Sequence, residues 1–365
     1  MGTIAVAGVG LIGGSVAMGA RERRVCERVI GFDHDAVALD AAVGLGAIDE
    51  ARLEPGEWLS SVDLLVLAAP TKALPQLAAS LLPHLRADAV VTDVGSVKRS
   101  VTDAVASVDW PGGAGRFVGG HPMAGSERAG VLNADPGLLE NAIWVLTPGP
   151  GTADDALGAV RSFVETLGAR PLVTSPEKHD ELVAAVSHLP YLAAVALTTL
   201  VDRGDDRGLK ALLAAGGFRD LTRVASGDPR MSRDMIADNA GPVRAALRAF
   251  RAVLDELESE LEDAEALLAR AQAAKRARDA VPVVKRGLLA SRWELVVAVL
   301  DRPGEFARIT AALAEAGVNI KDLEVLSVRE SGGAVRLAFE DAGALAAGRA
   351  ALEAAGYAVR SRNGG

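Results

Sequence analysis

A single cysteine, Cys26, is present in 365 residues. An intramolecular disulfide is therefore excluded, stability must come from packing, and the chain suits a reducing cytoplasm. Aromatic residues are scarce at 4%, and 39 basic residues fall short of 48 acidic ones, leaving a formal net charge of −9. No global positive field exists to gather nucleic-acid phosphates or anionic lipid, so neither nucleic acid nor membrane is an expected partner. A basic leader region is missing as well. Met1 to Ala20 has no charged side chain but is broken by Gly2, Gly8, Gly10, Gly13 and Gly14, which does not fit an export signal. The uncharged stretch Val183 to Val201 is long enough for a span, yet it contains Ser187, His188, Pro190 and Tyr191. It reads as a buried helix of a soluble domain.

What is present is a folded profile of 50% hydrophobic and 24% charged residues, long enough for two or three domains. Short β-branched runs (Thr3 to Ala7, Val29 to Phe32, Asp63 to Ala68, Ala89 to Thr92) alternate with Ala- and Leu-rich helical stretches such as Pro75 to Leu85. This alternation predicts a doubly wound α/β domain with a parallel sheet over residues 1–172. From Ser175 the strand signal stops. Pro176 suits the first helical position and Glu177, Asp180 and Glu181 the positive helix end, so 173–282 is expected to be all-helical. Leu247, Phe250, Leu254, Leu257, Leu261, Ala264 and Leu268 recur at spacings of three and four. They predict either a dimer-forming seam or a long helix packed inside one domain. Val281 to Gly287 reads as a linker. Residues 290–362 then follow the order βαββαβ, a small ferredoxin-like module.

Gly8-Val9-Gly10-Leu11-Ile12-Gly13 follows the first strand directly and opens a helix. The first glycine allows the tight turn, the second admits a pyrophosphate and the third lets helix and strand pack closely. Asp33 lies 20 positions beyond Gly13, at the end of the second strand, where it would accept hydrogen bonds from an adenine ribose. Strand, glycines, helix and acid together predict a Rossmann-like site. A carboxylate at Asp33 repels a 2′-phosphate and His34 is no arginine clamp, so NAD is expected over NADP. Ala69, Pro70 and Thr71, after a later strand, are assigned to the same cofactor. No metal site is expected.

Ligands of open α/β sheets bind beyond the carboxyl ends of the strands. Thr92 to Lys98 and Gly119 to Glu127 fall there, and His121 is the histidine best placed for acid–base work, although a loop histidine is often only structural. In the helical region, Gly216 and Gly217 precede Arg223, which would either meet a substrate carboxylate or form an ordinary interdomain ion pair.

These motifs, in order, resemble the prephenate and arogenate dehydrogenases of tyrosine biosynthesis. The likeness rests on residues 8–15, Asp93 to Lys98, His121 to Gly125, Ser187 to Pro190, Gly216 to Arg223, Asp228-Pro229 and Arg233-Asp234. It implies an oxidative decarboxylation that turns prephenate into 4-hydroxyphenylpyruvate. In it His121 would take the proton of the C4 hydroxyl, Ser96 would orient that hydroxyl and Arg223 would hold a carboxylate. Ser126 and Ser187 would be neutral polar partners, His188 and Tyr191 would lie on the substrate side, and Lys98 would either touch substrate or support the Ser96 loop. Two departures stand out: Tyr191 where many members carry histidine, and Ser232 where many carry tryptophan. They bear on the choice between prephenate and arogenate. The C-terminal module, with Asp301, Gly304, Asn319 and Ile320, resembles an ACT domain. That likeness implies pairing into a homodimer and amino-acid binding, with tyrosine as a feedback effector, or a dimerisation lobe with no ligand. Competing readings are another NAD(P)-dependent hydroxyacid or imine oxidoreductase, for which Lys178 is a weak candidate, and a non-catalytic NAD and amino-acid sensor.

Overall fold

The computed structural model describes residues 1–125, 129–281, 293–300, 302–329 and 332–363. By its contacts the chain forms two units, Met1–Pro282 and Val283–Gly365. In the first unit the apolar runs become strands β1 (Thr3–Ala7), β2 (Arg28–Phe32), β3 (Glu50–Arg52), β4 (Leu64–Leu67), β5 (Val90–Asp93), β6 (Phe117–Pro122), β7 (Ile143–Pro148) and β8 (Arg170–Val173). They form one sheet in the order β3-β2-β1-β4-β5-β6-β7-β8. Side chains alternate across it. Ile4, Val6, Leu64 and Val66 pack with Val16, Ala17, Val160 and Phe163 on one face, while Ala5, Ala7, Leu65 and Leu67 pack with Leu74, Ala78, Val101 and Val105 on the other. A strand buried on both faces needs apolar residues throughout, which is why β1 and β4 read as continuous hydrophobic runs.

The sheet departs from the all-parallel expectation at one pair: β6 and β7 are antiparallel. Between them the chain has only a 3-10 turn at Val131–Asn133 among its described residues. Parallel neighbours require a crossover element, and a return without one places the strands head to tail.

The helical region begins with Pro176–Val183, whose N-cap Ser175 accepts a hydrogen bond from the Lys178 amide. A π turn at Ala184–His188 interrupts it before Leu189–Val201. The expectation that this stretch is buried is not met: 22% of its most apolar window is buried, and in Leu189–Val201 only Ala194 is. By length and composition the joined helix would also suffice to cross a membrane. Its first two turns nevertheless carry Glu177, Lys178, His179, Asp180 and Glu181, and His179 and Asp180 are buried against polar residues of the sheet region.

The expected seam is likewise not one helix. It divides into Ala240–Ser259 and Ala264–Asp279, and Asp263 caps the second by accepting from the amides of Glu265 and Ala266. Arg270 bonds Glu256 at 3.2 Å. Fourteen residues of continuous helix would separate such groups by about 21 Å, so the chain must fold back between them.

In the second unit β9 (Trp293–Val299), β10 (Asp322–Arg329), β11 (Gly332–Phe339) and β12 (Val359–Asn363) form an antiparallel sheet in the order β10-β11-β9-β12. Helices Glu305–Glu315 and Ala342–Ala354 complete the expected βαββαβ order, with Leu295, Val297, Ile309, Leu313, Val335 and Leu352 as core. Asp301 and most of the predicted linker lie outside the described residues.

Phe163 is buried and meets Trp144 edge to face, with ring centroids 6.5 Å apart. Phe163→Ala should cost about 3–5 kcal/mol in urea unfolding of the full chain. A loss below about 1 kcal/mol would mean that the packing collapses around the void.

Candidate active site

The glycine loop has the geometry its sequence demands. Gly8 has φ +101°, and a Cβ there would come within 2.5 Å of the Ala68 carbonyl oxygen at the end of β4. Gly10 faces open space and begins helix Leu11–Glu22 with no side-chain cap. Uncapped amides beside an open glycine form an anion cradle. At Gly13 a Cβ would lie 2.0 Å from the Gly8 oxygen, so the third glycine permits the close turn. Asp33 stands at the end of β2, and its carboxylate accepts the Val9 amide at 2.8 Å. The predicted cofactor residues are therefore gathered at one edge: Gly8, Gly10, Leu11, Ile12 and Gly13 in the loop, Asp33 beside it, and Ala69, Pro70 and Thr71 after β4.

Thr71 leads to the catalytic candidates, because its hydroxyl lies 3.5 Å from that of Ser96. The Ser96 loop is closed by the ion pair of Lys98 with Asp93, both fully buried. Asp93 also accepts the amides of Gly95 (2.8 Å) and Gly120 (2.9 Å), and Lys98 Nζ donates to the Gly120 carbonyl at 2.6 Å. Burial lowers the Lys98 pKa, while Asp93 pushes it back up. Gly120 is the residue that this closure allows, since a Cβ there would lie 2.4 Å from the Asp93 carbonyl oxygen. Of the two roles weighed for Lys98, contact with substrate and support of the Ser96 loop, its geometry fits the second: it has 0% exposure and its ammonium is committed to Asp93 and Gly120.

His121 follows Gly120 on β6, paired in register with Val145. Its Nδ1 lies 2.8 Å from Nε2 of His179, and His179 Nδ1 lies 2.8 Å from Asp180 Oδ1. Asp180 accepts the amides of Lys98 (2.8 Å) and Arg99 (3.0 Å), where helix Arg99–Ala106 begins. Burial pushes the Asp180 carboxyl up, but the bonds from His179, Lys98 and Arg99 outweigh it and hold the carboxyl below its usual range. Burial, followed by the charges of Lys98, His179 and His188, holds His121 well below the ordinary histidine value. Nε2 of His121 has no protein partner among the described residues.

The other candidates divide. Ser187, in the π turn, and Tyr191, on the helix after it, are half-buried. His188 is buried at 1% exposure, and its Nδ1 lies 3.2 Å from the Asn239 amide nitrogen, which also donates to the Asp180 carbonyl at 2.8 Å. Burial pulls the His188 pKa down to about 4, so it is neutral near pH 7 and serves as an internal brace instead of the expected substrate contact. Arg223 is exposed and forms no ion pair among the described residues, unlike the interdomain pairing weighed for it. Arg233 and Lys72 both pair with Asp234, at 2.6 and 2.9 Å, linking helix Pro229–Asp238 to the loop after β4. Ser126 lies outside the described residues. In the second unit Gly304 (φ +89°) and Asn319 are exposed and Ile320 is half-buried.

Sequence reasoning missed His179, Asp180 and Asn239. The available signal was polarity at inward helical positions: His179 lies four residues before buried Val183, and Asp180 four before buried Ala184. No group of three or more His, Cys, Asp or Glu among the described residues is arranged to hold a metal ion.

A glycine cradle, a ribose-side carboxylate and an inward-held histidine at the carboxyl ends of the strands define a Rossmann-type, dinucleotide-dependent oxidoreductase. The chain matches family models described as prephenate dehydrogenase, nucleotide-binding domain (residues 16–173), prephenate dehydrogenase, dimerization domain (175–270), and ACT domain (293–356). It is 34% identical to prephenate dehydrogenase of Bacillus subtilis (strain 168), over 93% of this chain and 92% of that one. The solved structure of prephenate dehydrogenase from A. aeolicus, in complex with hydroxyphenyl propionate and NAD+, is similar at TM-score 0.72 and 33% identity, covering 77% of this chain and 99% of that one. Synechocystis arogenate dehydrogenase is similar at TM-score 0.69 and 33% identity, covering 76% and 99%. The chain belongs to the prephenate dehydrogenase family. Its cofactor is NAD.

Gly10→Ala should leave the thermal unfolding midpoint nearly unchanged, because its Cβ enters open space, and should weaken NAD binding in titration at least about tenfold, because that space is the cradle. Gly8→Ala should lower the midpoint itself, by strain at positive φ and the clash with Ala68.

Proposed function

We propose that the protein is an NAD-dependent enzyme that oxidatively decarboxylates prephenate to 4-hydroxyphenylpyruvate, for tyrosine biosynthesis in the cytoplasm. The observation that carries this reading is His121, held through Nδ1 beside the Ser96 loop with Nε2 unpartnered among the described residues. When bound, NAD would supply the acceptor for the hydride that leaves ring C4. His121 Nε2 accepts the proton of the C4 hydroxyl as that oxygen becomes a carbonyl, and Ser96 orients the hydroxyl. The C1–carboxylate bond then breaks, its electron pair enters the ring, and the oxygen regains a proton as the phenol forms. Aromatisation with loss of CO₂ makes the forward direction effectively irreversible. The guanidinium of Arg223, exposed and without an ion pair among the described residues, suits a substrate carboxylate, with Ser187, Tyr191 and Ser126 as polar neighbours.

In this reading residues 1–172 bind NAD, 173–282 bind substrate and form a homodimer, and 290–362 regulate. The exposed apolar side chains of Leu197, Leu200, Leu212, Leu213, Leu254 and Leu268 support a subunit interface in the helical region. Arogenate is the second reading, favoured by the likeness to the Synechocystis protein. An assay of NADH formation with each compound decides between them, and turnover of neither would leave a sensor.

His121→Asn should abolish turnover while NAD binding persists; near-normal turnover would refute the base. Because His121 must be neutral and its pKa is held well below the ordinary value of about 6.5, kcat/KM should stay level as pH falls past that value and drop only below it. An acid limb at or above 6.5 would contradict the assignment. Arg223→Ala should raise KM for the substrate at least about tenfold with a smaller effect on kcat. Deleting residues 288–365, within a unit that has its own core, should remove inhibition by tyrosine; unchanged inhibition would place the effector elsewhere.

A further inference from the structure

We propose that His179 and Asp180 are positioning residues that fix the His121 ring in the tautomer a base requires, with the proton on Nδ1 and a lone pair on Nε2. The proposal rests on the reading of His121 as the base. The Asp180 carboxyl is held below its usual range by the bonds it accepts, so it is ionised near neutral pH and has no proton to give. Its Oδ1 receives the Lys98 amide and His179 Nδ1, both at 2.8 Å, and its Oδ2 receives the Arg99 amide at 3.0 Å. Nδ1 of His179 must therefore carry a hydrogen. The proposal gives the His179 ring that single hydrogen, which leaves bare the Nε2 that lies 2.8 Å from Nδ1 of His121. Two bare nitrogens at that distance would repel, so Nδ1 of His121 carries the hydrogen and Nε2 is left to accept a proton from substrate.

Burial makes the chain of bonds directional. His179 and Asp180 are 1% and 3% exposed, so water does not compete for either ring nitrogen of His179. Asp180 cannot turn away, because both of its oxygens are bound to successive amides at the start of a helix. The His121 and His179 rings meet edge to face at 71° with centroids 5.1 Å apart, an orientation that aims one ring nitrogen at the other. The logic is that of a triad, in which a buried carboxylate sets the tautomer of a base and balances the cation formed when the base is protonated. Here one imidazole is inserted between them. Burial, then Lys98, His179 and His188, disfavour positive charge at His121, and the Asp180 carboxylate is the anion that hydrogen bonds connect to the pair of rings.

The test uses the full chain with NAD bound and histidines labelled with ¹⁵N. In the wild type, the His121 ring should show a protonated Nδ1 and a bare Nε2. His179→Leu, which removes the acceptor while keeping an apolar buried volume, should lose that pattern and lower kcat roughly 10²–10⁴-fold, with KM and NAD affinity within about threefold. His179→Gln, whose Oε1 can stand in for the accepting nitrogen, should recover most of the loss and keep the pattern. A wild-type His121 protonated on Nε2, a His179→Leu enzyme with kcat within about threefold of normal, or a His179→Gln enzyme as impaired as His179→Leu would each overturn the proposal. Failure of the underlying reading looks different: His121→Asn would keep its turnover whatever the ring pattern, and both proposals would fall together.

Discussion

The buried ion pair of Asp93 and Lys98 is the interaction on which the site depends. Taking an isolated carboxylate and ammonium out of water costs several kcal/mol for each, so the pair survives only because its remaining hydrogen-bonding capacity is used. Asp93 accepts two backbone amides and Lys98 donates to a backbone carbonyl, and these bonds reach Gly95 on one side and Gly120 on the other. One buried pair thereby fixes the Ser96 loop and the strand end that carries His121. The same residue extends the connection outward through its main chain, because the Lys98 amide is one of the two held by Asp180. Sheet and helical region meet at that carboxylate.

Local electrostatics also resolve a difficulty posed by the global charge. A chain of net charge −9 must bind an anionic dinucleotide and, in the proposed reaction, an anionic substrate. No long-range field assists it. In the proposed reading the uncapped helix start at Gly10 and the exposed guanidinium of Arg223 would supply attraction over a few ångströms, where screening and overall charge matter little. The interior does the opposite work. Burial keeps His121 and His188 neutral, so one is available as a base and the other as a hydrogen-bonding brace.

The features legible in the sequence were those whose physics is local. The glycine loop could be read because a tight turn with positive φ, an open cradle and a close helix approach each demand glycine at a fixed spacing from Gly8 to Gly13. Strands β1, β2, β4 and β5 could be read because burial on both faces leaves no room for polar residues. The helix start at Pro176 was marked by a proline and an acidic first turn. Legibility failed where a residue's meaning comes from a partner far along the chain. His179 and Asp180 look like ordinary residues of a helix start, and Asp180 suits the helix dipole well enough to need no other explanation. Their partners Lys98, Arg99 and His121 lie 58 to 82 residues away. Periodicity misled in the same manner at Leu261, where a continuous pattern of threes and fours runs across a break that Asp263 caps.

The sequence by itself therefore determined the kind of protein: a dinucleotide loop, a helical second region, a βαββαβ module, and a histidine and an arginine suited to proton transfer and carboxylate binding. Tertiary structure decided what each polar residue does. It made Lys98 and His188 buried supports, left Arg223 without an ion pair among the described residues, and joined Asp180, His179 and His121 in one line of hydrogen bonds. The reason is physical. Backbone conformation and amphipathic pattern are set by neighbours within a few positions, whereas burial and hydrogen-bond partnership, which fix charge state and tautomer, exist only after distant segments have packed together.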